Sequence, residues 1–305
     1  MKILIIGFGS IGKKHFIALK RKGFDVSICS KSFKKDKFKN HKLTVYENLE
    51  DIKKLDKFDM FIISNITVSH FSTLQFLDTN LQDKIILVEK PLFESYKDYK
   101  QSSNNKIFVA YLLRFHPVIK ALKKLLSYEK PYFANFVCNS YLPNYRNDDY
   151  KNNYSAKEEL GGGVLLDLSH EIDLASYLFK DLELLYSQNE KISELDISSD
   201  DFAFLALKGK NDEKVFINLD YFSKKLSRTI NICTLKRSFK ADLIKSYIKI
   251  YKKNGKVKKI NFKNSTIKNL QALHKAVMKN DENLCTLEQG LELLKLTDKV
   301  KMRNG

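Results

Sequence analysis

The stretch "KILIIGFGSIGKKHFIALKRKGFDVSICS", Lys2–Ser30, decides how the chain begins. "KILIIG" is a short continuous apolar run, the mark of a strand buried on both faces. "SIGKKHFIALKRKG" spaces its apolar residues as a helix does and is closed by Gly23, and "DVSICS" is a second strand. Between strand and helix, "GFGSIG" sets Gly7, Gly9 and Gly12 in the G-x-G-x-x-G spacing. The first glycine makes a tight turn, the second lets the backbone approach a pyrophosphate, and the third lets the helix pack closely on the strand. Amides at the helix start, at Ser10 and Ile11, would hold the anion. A bound dinucleotide is the reading this context favours, and a glycine turn of purely structural use is the alternative.

The same rhythm continues outward through "DMFIIS", "HFSTLQFLDTN" and "DKIILVEK". Strand and helix in alternation predict a parallel sheet with right-handed crossovers, hence an α/β Rossmann domain that ends near "IFVAYLLRF", Ile107–Phe115. After it the texture changes. A helix "PVIKALKKLLS" and a strand "YFANFVCNSYL" lead to a helix at Gly161–Gly163, then to "DFAFLALKG", "KVFINLDYF", "RTINICTLKRSFKADLI" and "SYIKIYKKNGKVKKINF". Consecutive strands joined by short turns mean an open, mainly antiparallel sheet and an α+β domain. The expected division is 1–116 for the dinucleotide-binding domain and 117–305 for a substrate-binding and oligomerisation domain, with the helices "TIKNLQALHKAVMKN" and "TLEQGLELLKLTDKV" packing back.

At 305 residues the chain is long enough for two cores, and 43% hydrophobic content with 30% charge fits a globular protein. No apolar run approaches the roughly 18 residues that span a bilayer, and the N-terminus lacks a signal-peptide cleavage pattern. The expectation is a cytoplasmic protein without membrane insertion. Cys29, Cys138, Cys233 and Cys285 are far apart and form neither a metal knuckle nor a short disulfide framework. No His, Cys and carboxylate set has metal-site spacing, so no metal is expected. The net charge of +18 is spread through almost every segment rather than gathered on one stripe. That distribution reads as a solvated surface that helps attract anionic substrates, and no nucleic-acid partner is expected.

An acid about 20 positions beyond the glycines would grip the adenine ribose 2′-hydroxyl. Here the second strand ends instead on Ser30 and Lys31, with Lys34 and Lys35 near. A hydroxyl followed by cations suits a 2′-phosphate, which favours NADP(H) and leaves NAD(H) as the alternative.

With "GFGSIGKKH", "ISNITVSH", "VEKPL", "YLLRFHP" and "GGGVLLDLSHEID" in this order, the sequence resembles the Gfo/Idh/MocA oxidoreductases, the glucose-fructose oxidoreductase and inositol dehydrogenase group. The resemblance implies a Rossmann domain followed by an open-sheet domain that carries substrate and often an oligomer contact. It implies that Lys90 reaches the reacting hydroxyl or carbonyl and that Glu89 lies beside the nicotinamide ribose. It implies that Asn65, Thr67 and His70 form a loop over the cofactor, although Ile66 replaces a usual proline, and that Arg114 lies near the nicotinamide. Leu112 stands where many members have asparagine. His170 matches the catalytic histidine. Asp167 precedes it by three residues rather than the usual four, a spacing that still puts both on one helical face and implies a catalytic role for Asp167 in orienting or polarising the imidazole, and Asp173 reads as structural. The segment 140–163 looks like a branch found in surface-glycan and sialic-acid-like sugar pathways. There Tyr141, Tyr145, Tyr150 and Tyr154 would stack on sugar rings, and Arg146 would fork onto a phosphate or carboxylate. For each tyrosine singly, core packing is an equal alternative.

The chemistry implied is reversible hydride transfer between nicotinamide and a secondary hydroxyl or ketone of a sugar, sugar phosphate or nucleotide sugar. His170 would accept the proton, and Lys90 would share it or stabilise the alkoxide. The partners expected are a small carbohydrate and a second copy or three of the chain, as homodimer or homotetramer. Two rivals stay open: a non-catalytic dinucleotide-binding sensor, and a reductase of a small non-sugar ketone or imine.

Overall fold

The computed structural model describes residues 1–31, 33, 43–145 and 149–302. It divides into two compact units, Met1–Leu112 with Ser265–Glu292, and Leu113–Asn264 with Leu293–Gly305.

In the first unit, β1 (Lys2–Ile6), α1 (Ser10–Lys20), β2 (Asp25–Cys29), β3 (Val45–Tyr46), β4 (Met60–Ile63), α2 (His70–Asn80), β5 (Ile85–Val88) and β6 (Lys106–Val109) follow the expected alternation. The strands are almost wholly buried because helices cover a parallel sheet on both faces. β1 pairs in parallel with both β2 and β4, so the strand order reverses beside it. A contribution from late in the chain completes the unit. The helix α6 (Thr266–Lys279) packs on α1, and β15 (Cys285–Thr286) adds an antiparallel edge against β6. The first of the helices expected to pack back is thus α6, with Leu270, Leu273 and Val277 buried, and Ser265–Glu292 groups with Met1–Leu112 rather than with the residues that follow 116.

The second unit is built on an eight-stranded sheet. Its strands are β7 (Pro131–Tyr141), β8 (Glu183–Glu190), β9 (Phe202–Lys208), β10 (Lys214–Asp220), β11 (Phe222–Thr234), β12 (Arg237–Asp242), β13 (Tyr247–Lys252) and β14 (Val257–Asn261), in the spatial order β14-β13-β12-β11-β7-β10-β9-β8. All pairings are antiparallel except β7 with β10. The expected fold class holds, an α/β Rossmann domain and an α+β domain on a mainly antiparallel sheet. β9 alternates buried and half-buried residues along its length, the period-two pattern of a sheet covered on one face. The helices α3 (Pro117–Leu126), α4 (Val164–Asp167) and α5 (His170–Phe179) cover the buried face. The last helix, α7, runs Leu287–Met302.

One expected helix is two. Leu168 leaves helical geometry at φ −95 and ψ 20, so α4 ends at Asp167 and α5 starts at His170. The apolar run "VLLDLS" hides this break because α4 is wholly buried and Glu171–Ala175 of α5 are buried as well.

Candidate active site

The glycine turn performs three separate tasks. Gly7 sits at φ +87, where a Cβ would lie 2.4 Å from the Asn65 backbone nitrogen. A Cβ on Gly12 would lie 2.5 Å from the Gly7 carbonyl oxygen and 2.9 Å from Ser64 Oγ, so the helix start is pressed onto the strand ends. A Cβ on Gly9 would meet nothing within 4 Å. Only the middle glycine faces open space, and it is the one a pyrophosphate must approach. Gly9 is also the N-cap of α1, without a side-chain cap bond or any acid in the first turn, so the amides at Ser10 and Ile11 keep their affinity for an anion. Ser64, which the sequence reading passed over, fastens this turn by donating from Oγ toward the Gly7 carbonyl at 2.8 Å.

At the carboxyl end of β4, Asn65 donates from Nδ2 to Thr73 Oγ1 at 2.9 Å, while its Oδ1 is buried with no protein partner. Thr67 begins a short 3-10 turn beside it, half-buried, and Ile66 is exposed. His70 is buried at 1% exposure. Its Nδ1 lies 3.0 Å from the Pro91 carbonyl and 3.2 Å from that of Leu92, and its Nε2 lies 3.3 Å from the Asn65 carbonyl. Burial pushes its pKa down, and carbonyls face both ring nitrogens, so the neutral ring, lying between the loop after β4 and the loop after β5, donates its one N–H to only one of them. At the end of β5, Glu89 takes His15 Nε2 on Oε1 at 2.7 Å and the Lys90 backbone N–H on Oε2 at 3.2 Å. Lys90 itself is half-buried. Ser30 closes β2 by donating its N–H to the Tyr46 carbonyl, and Lys31 follows it, exposed. Lys34 and Lys35 lie outside the described residues.

In the second unit, Asp167 is the centre of a hydroxyl cluster. Its carboxylate accepts Tyr154 at 2.9 Å, Ser155 at 2.5 Å and Tyr221 at 2.7 Å. Burial, reinforced by Asp167, pushes the Tyr221 phenol well up, so it stays a donor. The Tyr145 ring meets Tyr221 edge-on at 5.7 Å, and its hydroxyl pairs with Ser140 Oγ at 2.6 Å. His170, half-buried, opens α5, and the next residue, Glu171, holds Arg228 Nε at 2.8 Å. Tyr221 and Arg228 were missed because they reach Asp167 and Glu171 from 54 and 57 positions along the chain, and no local pattern marks such pairings.

The structure thus gathers Tyr145, Tyr154 and Asp167, and it spends others elsewhere. Lys224 Nζ lies 3.6 Å over the Tyr141 ring, and the Tyr150 hydroxyl accepts the Asp196 N–H at 3.2 Å. Arg146 lies outside the described residues. Arg114 is 2% exposed and grips Asp173 with Nε and Nη2 at 2.7 to 3.1 Å, which makes it an internal anchor of α5. The glycines before α4 are required by close backbone packing. A Cβ on Gly162 would lie 2.2 Å from the Tyr154 carbonyl, and one on Gly163 would lie 2.1 Å from Asp200 Oδ1. Asp200 instead caps α4 by accepting the Leu165 N–H at 2.9 Å. Among the described residues no cluster of three His, Cys, Asp or Glu is arranged for a metal ion, and no helix is long and apolar enough to cross a membrane.

Comparison with known proteins follows this geometry. Residues 1–105 match the family model GFO_IDH_MocA, described as oxidoreductase family, NAD-binding Rossmann fold. No curated protein matches the sequence. Among solved structures, the chain is similar to an oxidoreductase from Agrobacterium radiobacter in complex with NAD+, L-tartaric acid and magnesium, at 17% identity and TM-score 0.84 over 99% of this chain and 95% of that one. It is similar to the UDP-N-acetylglucosamine 3-dehydrogenase GnnA from Acidithiobacillus ferrooxidans, at 15% identity and TM-score 0.80 over 100% and 97%. It is also similar to the WlbA dehydrogenase from Bordetella pertussis in complex with NADH and UDP-GlcNAcA, at 16% identity and TM-score 0.78 over 99% and 95%. At these identities the likeness is one of fold.

Proposed function

Since residues 1–105 belong to the NAD-binding domain of the Gfo/Idh/MocA oxidoreductases, we propose that the protein is a nicotinamide-dependent dehydrogenase acting on a secondary hydroxyl or ketone of a sugar, sugar phosphate or nucleotide sugar. The observation that carries the cofactor assignment is the open space before Gly9 between two glycines that are packed tight. The unpartnered Asn65 Oδ1 supports it, as a buried acceptor suited to a cofactor hydroxyl or amide. Gly7, Gly9, Ser10, Ile11 and Gly12 would hold the pyrophosphate. Ser30 and Lys31 would meet a 2′-phosphate, so NADP(H) is the preferred form.

The nicotinamide supplies the hydride acceptor or donor when bound. The protein's residues align the substrate carbon and move one proton. His170 takes the proton from the hydroxyl during oxidation and returns it during reduction, and Lys90 stabilises the oxygen as charge develops on it. Asp167 and its three hydroxyl partners fix the backbone that leads into His170, and Tyr145 offers the sugar a ring edge and a hydroxyl. The nucleotide-sugar dehydrogenases among the fold relatives support this substrate class. A homo-oligomer through the half-buried aromatic strip Phe133, Phe204 and Phe216 on the outer sheet face is part of the same reading.

The test is a titration with NADPH and with NADH, followed by nicotinamide fluorescence, in the native protein and in Lys31→Ala. Tighter NADPH binding that the substitution weakens supports the assignment. Binding of neither form overturns it.

A further inference from the structure

Residues 236–263 hold eleven Lys and Arg against Asp242 as their one acid, a net +10 of the chain's +18. The even spread of charge expected from the sequence therefore fails here, because β12, β13 and β14 gather these cations at one side of the eight-stranded sheet. Two rows set like charges directly opposite one another, Arg237 with Lys252, and Lys240 with Lys249 and Lys259. Such pairs cost stability, so the sheet itself does not ask for them. Lysine on an edge strand guards it against stray pairing, but that accounts for β14 alone and not for the two strands further in or for the turns.

The turns supply a second observation. β11 turns into β12 at Leu235 and Lys236, and β13 turns into β14 at 253–256, both at one end of the sheet because Arg237 pairs with Lys252. β7 starts at the same end, where Thr234 pairs with Pro131. Leu235 is 74% and Tyr128 73% exposed, and Tyr132 and Val257 are exposed too. An open depression of about 440 Å³ lies among Lys236, Arg237, Lys252, Lys253 and Asn254. Arg237 is held in place there, donating from Nε to Glu129 Oε1 at 2.7 Å, while Glu129 Oε2 accepts Thr234 Oγ1 at 2.9 Å. The Glu129 side chain is buried, so its charge is spent on Arg237. Lys130 and Lys256 are exposed beside these turns. Beyond β7 this end of the sheet is mixed in charge, with Lys208 paired to Asp212 and Lys210 to Asp181, which bounds the cationic region.

We propose that this end of the second unit's sheet docks the protein on an anionic lipid surface. Headgroup phosphates meet Lys236, Lys252 and Lys253, and Leu235, Tyr128 and Tyr132 reach the boundary between headgroups and acyl chains. The aliphatic tips select lipid over nucleic acid. A phosphodiester strand would use the cations and the tyrosines but would gain nothing from Leu235 or Val257. Each basic residue close to such a surface strengthens binding about fivefold. The contact is peripheral, and it stands apart from the dinucleotide reading above.

The experiment sediments the full chain with vesicles of phosphatidylcholine, alone or mixed with phosphatidylglycerol, at about 0.1 M and about 0.5 M salt. The native protein is expected to bind the anionic vesicles only, and to leave them at the higher salt. The triple variant Lys236→Gln, Lys252→Gln, Lys253→Gln is expected to bind roughly 100-fold more weakly. Leu235→Ser, with every cation in place, is expected to bind several-fold more weakly. Lys53, Lys54 and Lys100 are exposed lysines of the first unit, and changing all three to Gln removes equal charge and should leave binding about as in the native protein. An unchanged Tm shows that each variant is folded. No binding to anionic vesicles, equal binding to neutral ones, or an equal loss in the first-unit variant overturns the proposal. A fluorescent single-stranded oligonucleotide that binds more tightly than the vesicles, through the same three lysines and without regard to Leu235→Ser, overturns it in favour of nucleic acid.

Discussion

Replacing Gly9 by alanine separates a ligand-binding glycine from a structural one. Gly9 has φ −69 and ψ −162, extended backbone that alanine adopts, and its added Cβ meets no atom within 4 Å. Loss of glycine's freedom in the unfolded chain stabilises by about 0.4–1 kcal/mol, and alanine's poorer N-cap performance costs about as much, so the net change is near zero. By the exchange rate of about 2–4 °C per kcal/mol for domains of this size, Tm moves by no more than a few degrees. The Cβ does occupy the space a pyrophosphate needs. Losing one charge-assisted hydrogen bond, at about 1.5–3 kcal/mol, raises Kd roughly 10- to 150-fold. Gly12→Ala should behave in the opposite order, because its Cβ would lie 2.5 Å from the Gly7 carbonyl oxygen and strain of about 1–3 kcal/mol lowers Tm first. Calorimetry of Tm with fluorescence titration of NADPH reads both. A folded Gly9→Ala protein that binds cofactor as the native one does would refute the assignment.

Asp173→Asn removes the carboxylate that Arg114 grips inside the second unit, and breaking a buried pair costs about 3–5 kcal/mol; thermal unfolding should show a fall of roughly 6–20 °C, and an unchanged Tm would deny the anchoring role. Gly162→Ala should destabilise the same unit, since its Cβ would lie 2.2 Å from the Tyr154 carbonyl, and urea unfolding would reveal this as a lower midpoint. His116 caps α3 by accepting the Val118 N–H at 3.1 Å, and burial pushes its pKa down to about 4. The unfolded state then binds more protons between the ordinary histidine value and about 4, so stability falls as pH drops through that window. His116→Asn keeps an acceptor at the cap and should flatten part of this loss in denaturation measured against pH, with the remainder from His70 and His274.

Local patterns reached the sequence clearly. The boundaries of α2 and the alternation of β7 follow from apolar spacing, and Gly7 and Gly12 make the tight turn and the close helix packing their spacing implies. Partnerships formed across long stretches of chain did not. The C-terminal helices show in the sequence that they pack back, but not which residues they meet: Cys285 pairs with Val109, and His274 meets His15. The break between Asp167 and His170 was invisible for a different reason. α4 and residues 171–175 of α5 are buried, so the apolar pattern runs through the turn at Leu168. Asp167 consequently reads as a helical neighbour of the histidine, whereas its carboxylate answers to Tyr154, Ser155 and Tyr221.

The central claim is catalysis, and one measurement bears on it most directly. Nicotinamide reduction is followed with a panel of nucleotide sugars and sugar phosphates, in the native protein, Lys90→Ala and His170→Ala. The account expects turnover of at least one carbohydrate by the native protein and a loss of kcat of about 100-fold or more in each variant, with cofactor Kd in His170→Ala unchanged. Full activity in either variant, or a protein that binds the cofactor and reduces none with any carbohydrate, would contradict it.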